Sequence, residues 1–381
     1  MALIAVGFLT IPDLAAAERV KSLFRSQPVH WQPFVEGDGR VRSVQFTEAW
    51  SFDGFDAPFV GDPIEVGGTL LFSTRDGRIA GLDPGSGQRR WEAHLRDALG
   101  VGPAAGDGIA FQATRGGRLV ALDISDGRLL WSIELGSEPT ATPRVLGDRL
   151  YVGTADESLV AIDPGDGTIL HRLPLPGRPT SSVEASPGAL LIGTDHGMLL
   201  SIDSETLTVN WRHYAMHAIT SPPLYHDHRI YVATADHSFH CLRSKNGKRR
   251  WTVRTGALTT ARPFVRDGIL YILSYDNDIA LLKAKSGHLL ARVRLDHRLD
   301  ADAARTADHL YVVPFTEASV VGLALPGLQG GGQFDLDVPG EWFTTAPLVV
   351  GDALAVGYGR AAGRVLMLSI EVEDDAEETD N

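Results

Sequence analysis

Imidazole groups are concentrated in one part of this 381-residue sequence, which contains 13 histidines. Six of them lie close together: His213, His217, His226, His228, His237 and His240. Clustered histidines can bind transition metals, but a stable site generally takes three or four ligands. His226 and His228 supply only two, because the strand pattern places their turn at the opposite end of the strands from His217 and His237. We therefore interpret the cluster as exposed turn residues and predict no metal site.

A second set of polar side chains occurs at turns that recur with a spacing of about forty residues. Its candidates for a shared ligand site are Arg115, Asp156, His196, His217, His237, Asp276 and Trp342. Convergent polar groups in a concavity are the usual form of a small-molecule site. Aspartate and its neighbours also form turns without any ligand. Two interpretations stay open, a ligand site at the axial mouth of a ring and a set of structural turns.

The chain has one cysteine, Cys241, which excludes an intrachain disulfide and any site built from several thiolates. Cys241 falls in a column of small residues, so a buried packing role is favoured over a nucleophilic one. No Ser-His-Asp, zinc-hydrolase or phosphate-loop arrangement stands out. We therefore predict no catalytic residues and expect a protein that is not an enzyme.

The elements that carry these residues are short strands in a repeat. Leu119–Trp131 comprises a strand, a tight turn and a second strand, and related segments recur along the whole chain. Strands bounded by Gly, Asp or Pro are typical of antiparallel hairpins, and a period of about forty residues indicates a propeller, a solenoid or an array. The fourth strand of each unit reaches a column formed by Trp50, Trp91, Trp131, His171, Trp211, Trp251 and Ala291. In the seventh unit, Phe334 is the expected replacement for the tryptophan.

The repeats predict a closed ring. Eight units start near residues 61, 101, 140, 179, 220, 259, 301 and 343, and the last of them has only three strands. We predict an all-β fold, an eight-bladed β-propeller of four-stranded antiparallel blades, in which an N-terminal strand at about 44–52 completes the last blade. The predicted domains are an N-terminal extension or cap at 1–43, the propeller at 44–370 and an acidic disordered tail at 371–381.

Charge and hydropathy exclude further classes of protein. The formal net charge is −13, and the final eleven residues contain seven acidic and no basic side chains. Such a surface repels phosphate backbones, so no nucleic-acid partner is expected. The apolar stretch at the N-terminus is too short to span a bilayer, so no transmembrane segment is expected. The stretch also lacks the preceding positive charge of a signal peptide.

The segments Gly81–Trp91 and Ala121–Trp131 share a small residue, an aspartate, a glycine and a tryptophan at the same spacing. This motif resembles the tryptophan-docking repeat of pyrroloquinoline-quinone-type (PQQ-like) eight-bladed propellers, within the WD40- and quinoprotein-like superfamily. The resemblance covers about residues 44–370. Its structural docking residues are Trp50, Trp91, Trp131, Trp211, Trp251, Asp83, Asp123, Asp163, Gly87, Gly127 and Gly167. Aspartate and glycine form the hairpin turn, and the indole is expected to be buried.

The resemblance extends to two branches with different functions. Quinoprotein dehydrogenases hold a quinone and a calcium ion in the axial pocket and carry a vicinal cysteine pair, which a single cysteine cannot form. The non-catalytic branch, of the BamB type, is a bare ring that binds proteins, and the short connections of this chain resemble that branch.

The resemblance therefore implies a monomeric scaffold that mediates protein–protein interaction within a larger assembly. Neither PQQ nor calcium is expected. The alternative is a quinone- or metabolite-binding enzyme or sensor that uses the axial mouth. The missing signal peptide and lipobox cysteine favour the cytoplasm, whereas the family implies the bacterial periplasm or cell envelope.

Overall fold

The structure is a computed structural model that describes residues 42–295, 298–299, 301–314, 318–336, 338 and 340–374. All its regular elements are β-strands, arranged in a ring of eight four-stranded antiparallel sheets. The sheets are the eight blades of a β-propeller, as the repeat predicts. Within the described ranges, no helix is long and apolar enough to cross a membrane.

The strands follow the chain in blade order, with the first strand of each blade at its inner edge. Blades 1 to 4 are β2–β5 (Ile64–Val66, Thr69–Ser73, Arg78–Leu82, Arg89–His94), β6–β9 (Ala104–Gly106, Ile109–Ala113, Arg118–Asp123, Leu129–Glu134), β10–β13 (Arg144–Leu146, Arg149–Thr154, Ser158–Ile162, Ile169–Pro174) and β14–β17 (Glu184–Ser186, Ala189–Gly193, Met198–Asp203, Val209–Tyr214). Blades 5 to 7 are β18–β21 (Leu224–His226, Arg229–Thr234, Ser238–Arg243, Arg249–Arg254), β22–β25 (Phe264–Arg266, Ile269–Leu273, Asp278–Lys283, Leu289–Arg294) and β26–β29 (Ala304–Arg305, His309–Val312, Ser319–Ala324, Gln329–Asp335). Blade 8 consists of β30–β32 (Leu348–Val350, Ala353–Tyr358, Arg364–Asp374) and β1 (Arg42–Asp53).

The N-terminal strand is the outer strand of blade 8. β1 pairs antiparallel with β32, with Val44 opposite Val372 and Trp50 opposite Met367. The pairing extends to Asp374, so the predicted start of the tail at residue 371 is wrong by four residues. The charged end of β32 is a strand because β1 provides hydrogen-bond partners for its main chain. Residues 1–41 and 375–381, including most of the predicted cap and tail, lie outside the described residues.

A β-bulge recurs in the outer hairpin of every blade. The register between the third and fourth strands shifts after Gly81 in blade 1 and after Ala121 in blade 2, and the other six blades repeat the shift. A bulge places two residues of one strand opposite one residue of its partner and increases the local twist. In every blade except blade 7, the residue directly after the bulge belongs to the tryptophan column; in blade 7 the bulge lies one residue later along the third strand.

The tryptophans of this column pack each blade against the next. A Cβ on Gly127 would lie 2.5 Å from the Trp91 ring, and Gly87, Gly167, Gly247 and Gly287 face Trp50, Trp131, Trp211 and Trp251 in the same way. Glycine is required because the indole lies on its Cα and because these glycines have positive φ. Trp91 also donates from Nε1 to the Ile124 carbonyl of the next blade at 2.7 Å.

Blade 7 departs from this arrangement. Gly332 occupies the tryptophan position opposite Gly322, and Phe334 pairs with Val320 further along the strand. The prediction that Phe334 replaces the tryptophan is therefore wrong. A Cβ at Gly332 would overlap the carbonyl oxygen of Val44. The close approach of β1 leaves no room for an indole at this position.

The aspartates of the repeat cap the turns between third and fourth strands. Asp83 Oδ1 accepts hydrogen bonds from the main-chain N–H groups of Gly85 and Ser86, at 3.0 and 2.9 Å. Hydrogen bonds from the Arg90 guanidinium and from Ser86 lower the pKa of Asp83 to about 2. Asp123 and Asp163 accept equivalent main-chain hydrogen bonds in the next two blades. This side chain holds the turn in the conformation on which the preceding tryptophan docks.

Candidate functional site

The inner edges of the blades enclose an axial cavity. First strands of neighbouring blades contact one another, as β2 contacts β6 and β14 contacts β18. The segments that lead from each outer strand to the next inner strand line a cavity of about 800 Å³. Seven of the eight segments are held over the next blade by a bridge such as Phe59–Thr74 or Leu99–Thr114. The cavity thus opens on the face that carries the turns between second and third strands.

Hydroxyl groups dominate the wall of this cavity. They belong to Thr140, Thr142, Thr180, Ser181, Ser182, Thr220, Thr260, Thr344 and Thr345. At the mouth, the Arg360 guanidinium stacks on the Trp342 ring at 4.2 Å, and Glu341 accepts a hydrogen bond from the Arg360 main chain at 2.9 Å. Arg75 also lines the cavity and is exposed. A hydroxyl-lined cavity with arginines at its mouth is suited to a polar ligand, because it offers hydrogen bonds and positive charge.

A charged cluster connects inner strands from opposite parts of the ring. Arg262, which precedes β22 in blade 6, pairs with Glu184 of β14 in blade 4. Its main-chain N–H donates to Asp302 of blade 7 at 2.6 Å, and Arg144 of blade 3 lies 3.7 Å from Glu184. Because Glu184 belongs to blade 4 and Arg262 to blade 6, the pair bypasses the inner strand of blade 5. The network joins four blades at the axis.

Protonation in this cluster reflects both burial and pairing. Burial raises the pKa of Asp302, and its contacts with Arg262 reduce this shift without cancelling it. Burial opposes the charge of Arg262, but the hydrogen bond and charge of Glu184 raise the pKa of Arg262 overall. Glu184 is only 7% exposed. Breaking one pair would leave another buried charge without compensation.

Sequence reasoning missed this cluster. Glu184 opens β14 at the position where other blades place residues such as Ile64, Leu224 and Leu348. The available signal was a pair of opposite charges, Arg144 and Glu184, at the same position of neighbouring units in an otherwise apolar column. The sequence does not identify Arg262 as the partner of Glu184, because Arg262 is 78 residues away and belongs to a blade that is not adjacent.

Of the seven residues predicted for the axial mouth, only Trp342 lines the cavity. Asp156 instead accepts a hydrogen bond from Thr154 in its own turn, at 2.6 Å, and pairs with Arg172 at 3.3 Å. Asp276 accepts from Ser274 in the same manner. These two carboxylates cap their own turns.

The other four candidates also lie outside the cavity. Arg115 packs over Gly100, whose added Cβ would meet the arginine side chain at 3.1 Å. His196 is exposed beside Asp195, and His237 occupies a turn at a φ of 62°. His217 lies near Asp236. The structure therefore does not bring Arg115, His196, His217 and His237 together with Trp342.

The histidine-rich blade contains a buried polar pair. His240 donates or accepts through Nδ1 with Thr252 at 3.0 Å and through Nε2 with Thr234 at 3.2 Å, and its ring lies 6.4 Å from that of His213. Burial and the nearby His213 lower the pKa of His240 to about 4. His226 and His228 are exposed in a separate turn.

No group of three or more potential metal-ligating side chains occurs among the described residues. Cys241 is fully buried in the core of blade 5, and burial raises the pKa of its thiol to about 12.

The residues of the cavity do not fit a calcium–quinone centre. Of the carboxylates that line it, Asp62 accepts a hydrogen bond from the Ala346 main chain at 2.7 Å, and Asp302 is engaged by Arg262. Calcium requires six to eight oxygen ligands, several of them carboxylates, and two committed carboxylates do not supply such a set. We derive no chemical step through this group.

Comparisons with known proteins agree with the architecture. Two overlapping stretches, residues 75–206 and 176–308, match the family described as "Outer membrane protein assembly factor BamB". Together they cover more than half of the chain. The protein therefore belongs to this family of PQQ-like β-propeller repeat proteins. A search of curated proteins finds no match.

Solved structures of different functions share the fold. BamB from Moraxella catarrhalis is 19% identical over 88% of this chain and 99% of its own, with a TM-score of 0.70. The quinohemoprotein alcohol dehydrogenase from Comamonas testosteroni is 14% identical over 85% of this chain and 76% of its own, with a TM-score of 0.69. A europium-containing methanol dehydrogenase is 11% identical over 85% and 93%, with a TM-score of 0.70. At these identities the likeness defines the fold alone.

Proposed function

We propose that the protein is a non-catalytic scaffold that binds a partner protein within a larger assembly. The observation that carries the proposal is an apolar surface on the outer strands of blades 2 and 3. Leu129 and Ile169 are 54% and 42% exposed, and the bulge residues Leu130 and Leu170 are 37% and 47% exposed. Membership of a family described as an assembly factor supports the same function.

The two parts of this surface belong to neighbouring blades that dock on each other. A Cβ on Gly167, at the turn before β13, would lie within 3.0 Å of Trp131 and Ile133 in β9. Ile169 and Leu170 follow directly after that turn, and Leu129 and Leu130 directly precede Trp131 in β9. Exposed apolar side chains are typical of protein-binding sites, because desolvating them on association is favourable.

The fold does not require apolar side chains at these positions. The corresponding residues are Arg89 and Arg90 in blade 1 and Arg249 and Arg250 in blade 5, all of them exposed. Blades 2 and 3 therefore differ from blades of the same geometry in a way that neither the bulge nor the hairpin explains.

The experiment is affinity purification from the native host with crosslinking before lysis. Leu129→Glu combined with Ile169→Glu is expected to reduce recovery of the partner at least tenfold. Leu289→Glu is the matched control, because Leu289 is 44% exposed at the same position of blade 6. Equal recovery with the double variant and the control would contradict the proposed surface.

A second candidate function is binding of a small polar ligand in the axial cavity. Its volume of about 800 Å³ and its hydroxyl-rich wall support this candidate. PQQ with calcium, added to the purified protein, tests the quinoprotein alternative, since a ligand that binds only the native state raises the melting temperature. A rise that Thr180→Val with Ser182→Ala abolishes would favour this candidate over the scaffold. An unchanged melting curve would remove the quinone version of it.

A further inference from the structure

The turn between the third and fourth strands changes its charge from one part of the ring to another. Blades 1 to 4 place Asp83, Asp123, Asp163 and Asp203 at the start of this turn, whereas blades 5 and 6 have Arg243 and Lys283. The main-chain hydrogen bond that closes the turn persists, from Gly247 to Arg243 and from Gly287 to Lys283, at 2.9 and 2.8 Å. The turn geometry therefore does not explain the cations.

Lysine is concentrated in the same region. Four of the five lysines of the chain are Lys245, Lys248, Lys283 and Lys285, all in these two turns. In a chain with a formal charge of −13, such a concentration creates a local positive potential that opposes the overall charge. Sequence reasoning saw only the net charge and missed this patch.

Part of the patch forms a cleft of about 510 Å³ between blades 5 and 6. It is lined by Arg229, Arg250, Trp251, Lys283, Lys285 and Ser286. Arg229 is paired with Asp227 at 2.8 Å. Arg250, Lys283 and Lys285 form no ion pair with a described carboxylate. The cleft thus holds three cationic side chains whose charges remain available to a ligand.

The tryptophan of this junction adds an unused hydrogen-bond donor. Trp50, Trp91, Trp131 and Trp211 each donate to a turn carbonyl of the next blade. At the fifth junction, the Tyr231 hydroxyl donates to the Ala284 carbonyl at 3.0 Å instead. Trp251 Nε1 and Arg229 Nε are buried and have no acceptor among the described residues.

These N–H groups lie just beneath a cationic surface. A buried donor without an acceptor is costly, and the cost is relieved when a ligand supplies the acceptor. The N–H dipoles of Trp251 and Arg229 also add to the positive potential of the cleft, even where the ligand does not contact them directly. Charge and unpaired donors therefore favour the same kind of ligand.

We propose that the cleft between blades 5 and 6 is a binding site for a phosphate dianion, either free phosphate or a phosphomonoester headgroup. A compact anion with two charges and several acceptor oxygens matches three unpaired cations around a small cleft. Lysine binds phosphate as a point charge, and arginine binds it through directed N–H groups. This site is independent of the apolar surface on blades 2 and 3, so either proposal can fail without the other.

The first experiment titrates the full-length protein with inorganic phosphate by calorimetry, with chloride at the same ionic strength as the reference. Lys283→Gln combined with Lys285→Gln is expected to weaken phosphate binding at least tenfold. Lys245→Gln combined with Lys248→Gln is the matched control and should change the affinity less than twofold, since neither lysine lines the cleft. Equal effects of the two pairs would overturn the site.

A second variant tests the unused donor without altering any charge. Tyr231→Phe frees the Ala284 carbonyl, so Trp251 can donate to it as the other tryptophans do. We expect phosphate binding to weaken about twofold to fivefold and the Trp251 indole N–H resonance to lose its phosphate-dependent shift. A resonance that still shifts in this variant would contradict the contribution of Trp251.

Vesicles distinguish the two sources of the phosphate group. If the protein binds inorganic phosphate and the Lys283 and Lys285 variant does not, the result supports a soluble ligand. Binding only to phosphatidic acid vesicles, with the same loss in the variant and no binding to phosphatidylcholine, supports a headgroup. Binding of neither probe, or of a polyglutamate peptide alone, would overturn the proposal.

Discussion

Blades 1 to 4 and blades 5 and 6 solve the same packing problem with different side chains. In the first group, Trp91, Trp131 and Trp211 donate to a turn carbonyl of the next blade. Where blade 3 has His171 in place of tryptophan, Arg149 donates to the Ser204 carbonyl at 3.2 Å. The comparison indicates that the constant requirement is a donor for a partly buried carbonyl, since such a group is costly when unpaired.

Tyrosine takes over this role in the second group. In blade 6, where Ala291 replaces the tryptophan, the Tyr271 hydroxyl donates to the Pro326 carbonyl at 2.7 Å. Blade 5 contains both Tyr231 and Trp251, and the tyrosine makes the contact. The redundancy leaves Trp251 with an unused donor, and the cationic turns surround it. Irregularity in the repeat thus coincides with the proposed phosphate site.

The largest expected effect concerns the seam where the two groups meet through blades 7 and 8. Deleting residues 1–52 removes β1 and exposes the edge of β32, together with the buried side chains of Val365 and Met367. An unpaired strand edge promotes aggregation. We expect this variant to be largely insoluble or aggregated in size-exclusion chromatography. Deletion of residues 1–40 keeps β1 and should leave a monomeric ring, and equal behaviour of the two deletions would argue against closure by β1.

The next effect separates a tryptophan junction from one without it. Trp91 is 7% exposed, and Trp91→Ala removes both the ring that covers Gly127 and the donor to Ile124. A loss of about 3–5 kcal/mol in the free energy of unfolding is expected for such a truncation. His171→Ala, at an exposed position of the same column, should cost less than about 1 kcal/mol. Denaturant unfolding measures the free energy of unfolding of both variants. Similar losses would mean that Trp91 stabilises its junction no more than His171 does.

A pH-dependent effect distinguishes blade 5 from its neighbours. His240 stands where blades 2, 3 and 4 place Val120, Val160 and Leu200. Its pKa in the folded state, about 4, lies below the unfolded value of 6.5, because burial and then His213 disfavour the charged form. Above pH 6.5 the imidazole is neutral in both the folded and the unfolded state. As the pH falls from about 6.5 towards 4, the unfolded state binds a proton that the folded state does not bind, so the free energy of unfolding decreases.

Because proton binding is linked to unfolding, the free energy of unfolding is expected to fall by about 2 kcal/mol between pH 7 and pH 5. His240→Gln should flatten the pH dependence over this interval in denaturant unfolding. His226→Gln is the control, since His226 is exposed in a turn, and should keep the full dependence. A pH profile that His240→Gln leaves unchanged would contradict the buried neutral state of His240.

The smallest effect tests the redundancy of the donors. Tyr271→Phe removes the donor to Pro326 and has no tryptophan to replace it, so a loss of about 1 kcal/mol in the free energy of unfolding is expected. Tyr231→Phe should cost less than about 0.5 kcal/mol, because Trp251 can then donate to Ala284. The same denaturant measurement compares them. A larger loss for Tyr231→Phe would mean that the two donors are not interchangeable.

Much of the fold was accessible from the sequence, because each blade is a local hairpin arrangement. The spacing of Trp91 and Trp131 and the Asp83 and Gly87 turn predicted the strand order within blades. The replacement in blade 7 was not accessible. Phe334 has the right character for the tryptophan position, but the approach of β1 to Gly332 excludes a ring there, and this is a contact between the two ends of the array.

The candidate sites were less accessible, because they depend on which residues the ring brings together. The repetition of polar turn residues such as Asp156 and Asp276 suggested a shared ligand site, yet these side chains cap their own turns. The channel pair of Arg262 and Glu184 has no local pattern. The cations at positions 243 and 283 are recognisable in the sequence, because they replace the aspartate that the first four units have at the same position.

The sequence by itself determined the repeat, the eight blades and the tight turns, because these depend on period-2 strands and on residues that lie within a few positions of one another. The tertiary structure decided the placement of charge. It paired Arg262 with Glu184 past blade 5, and it left Trp251 without an acceptor among the described residues, in the cleft that Lys283 and Lys285 line. Closing a ring joins residues of distant blades, and the electrostatic field of a site depends on those distances in space.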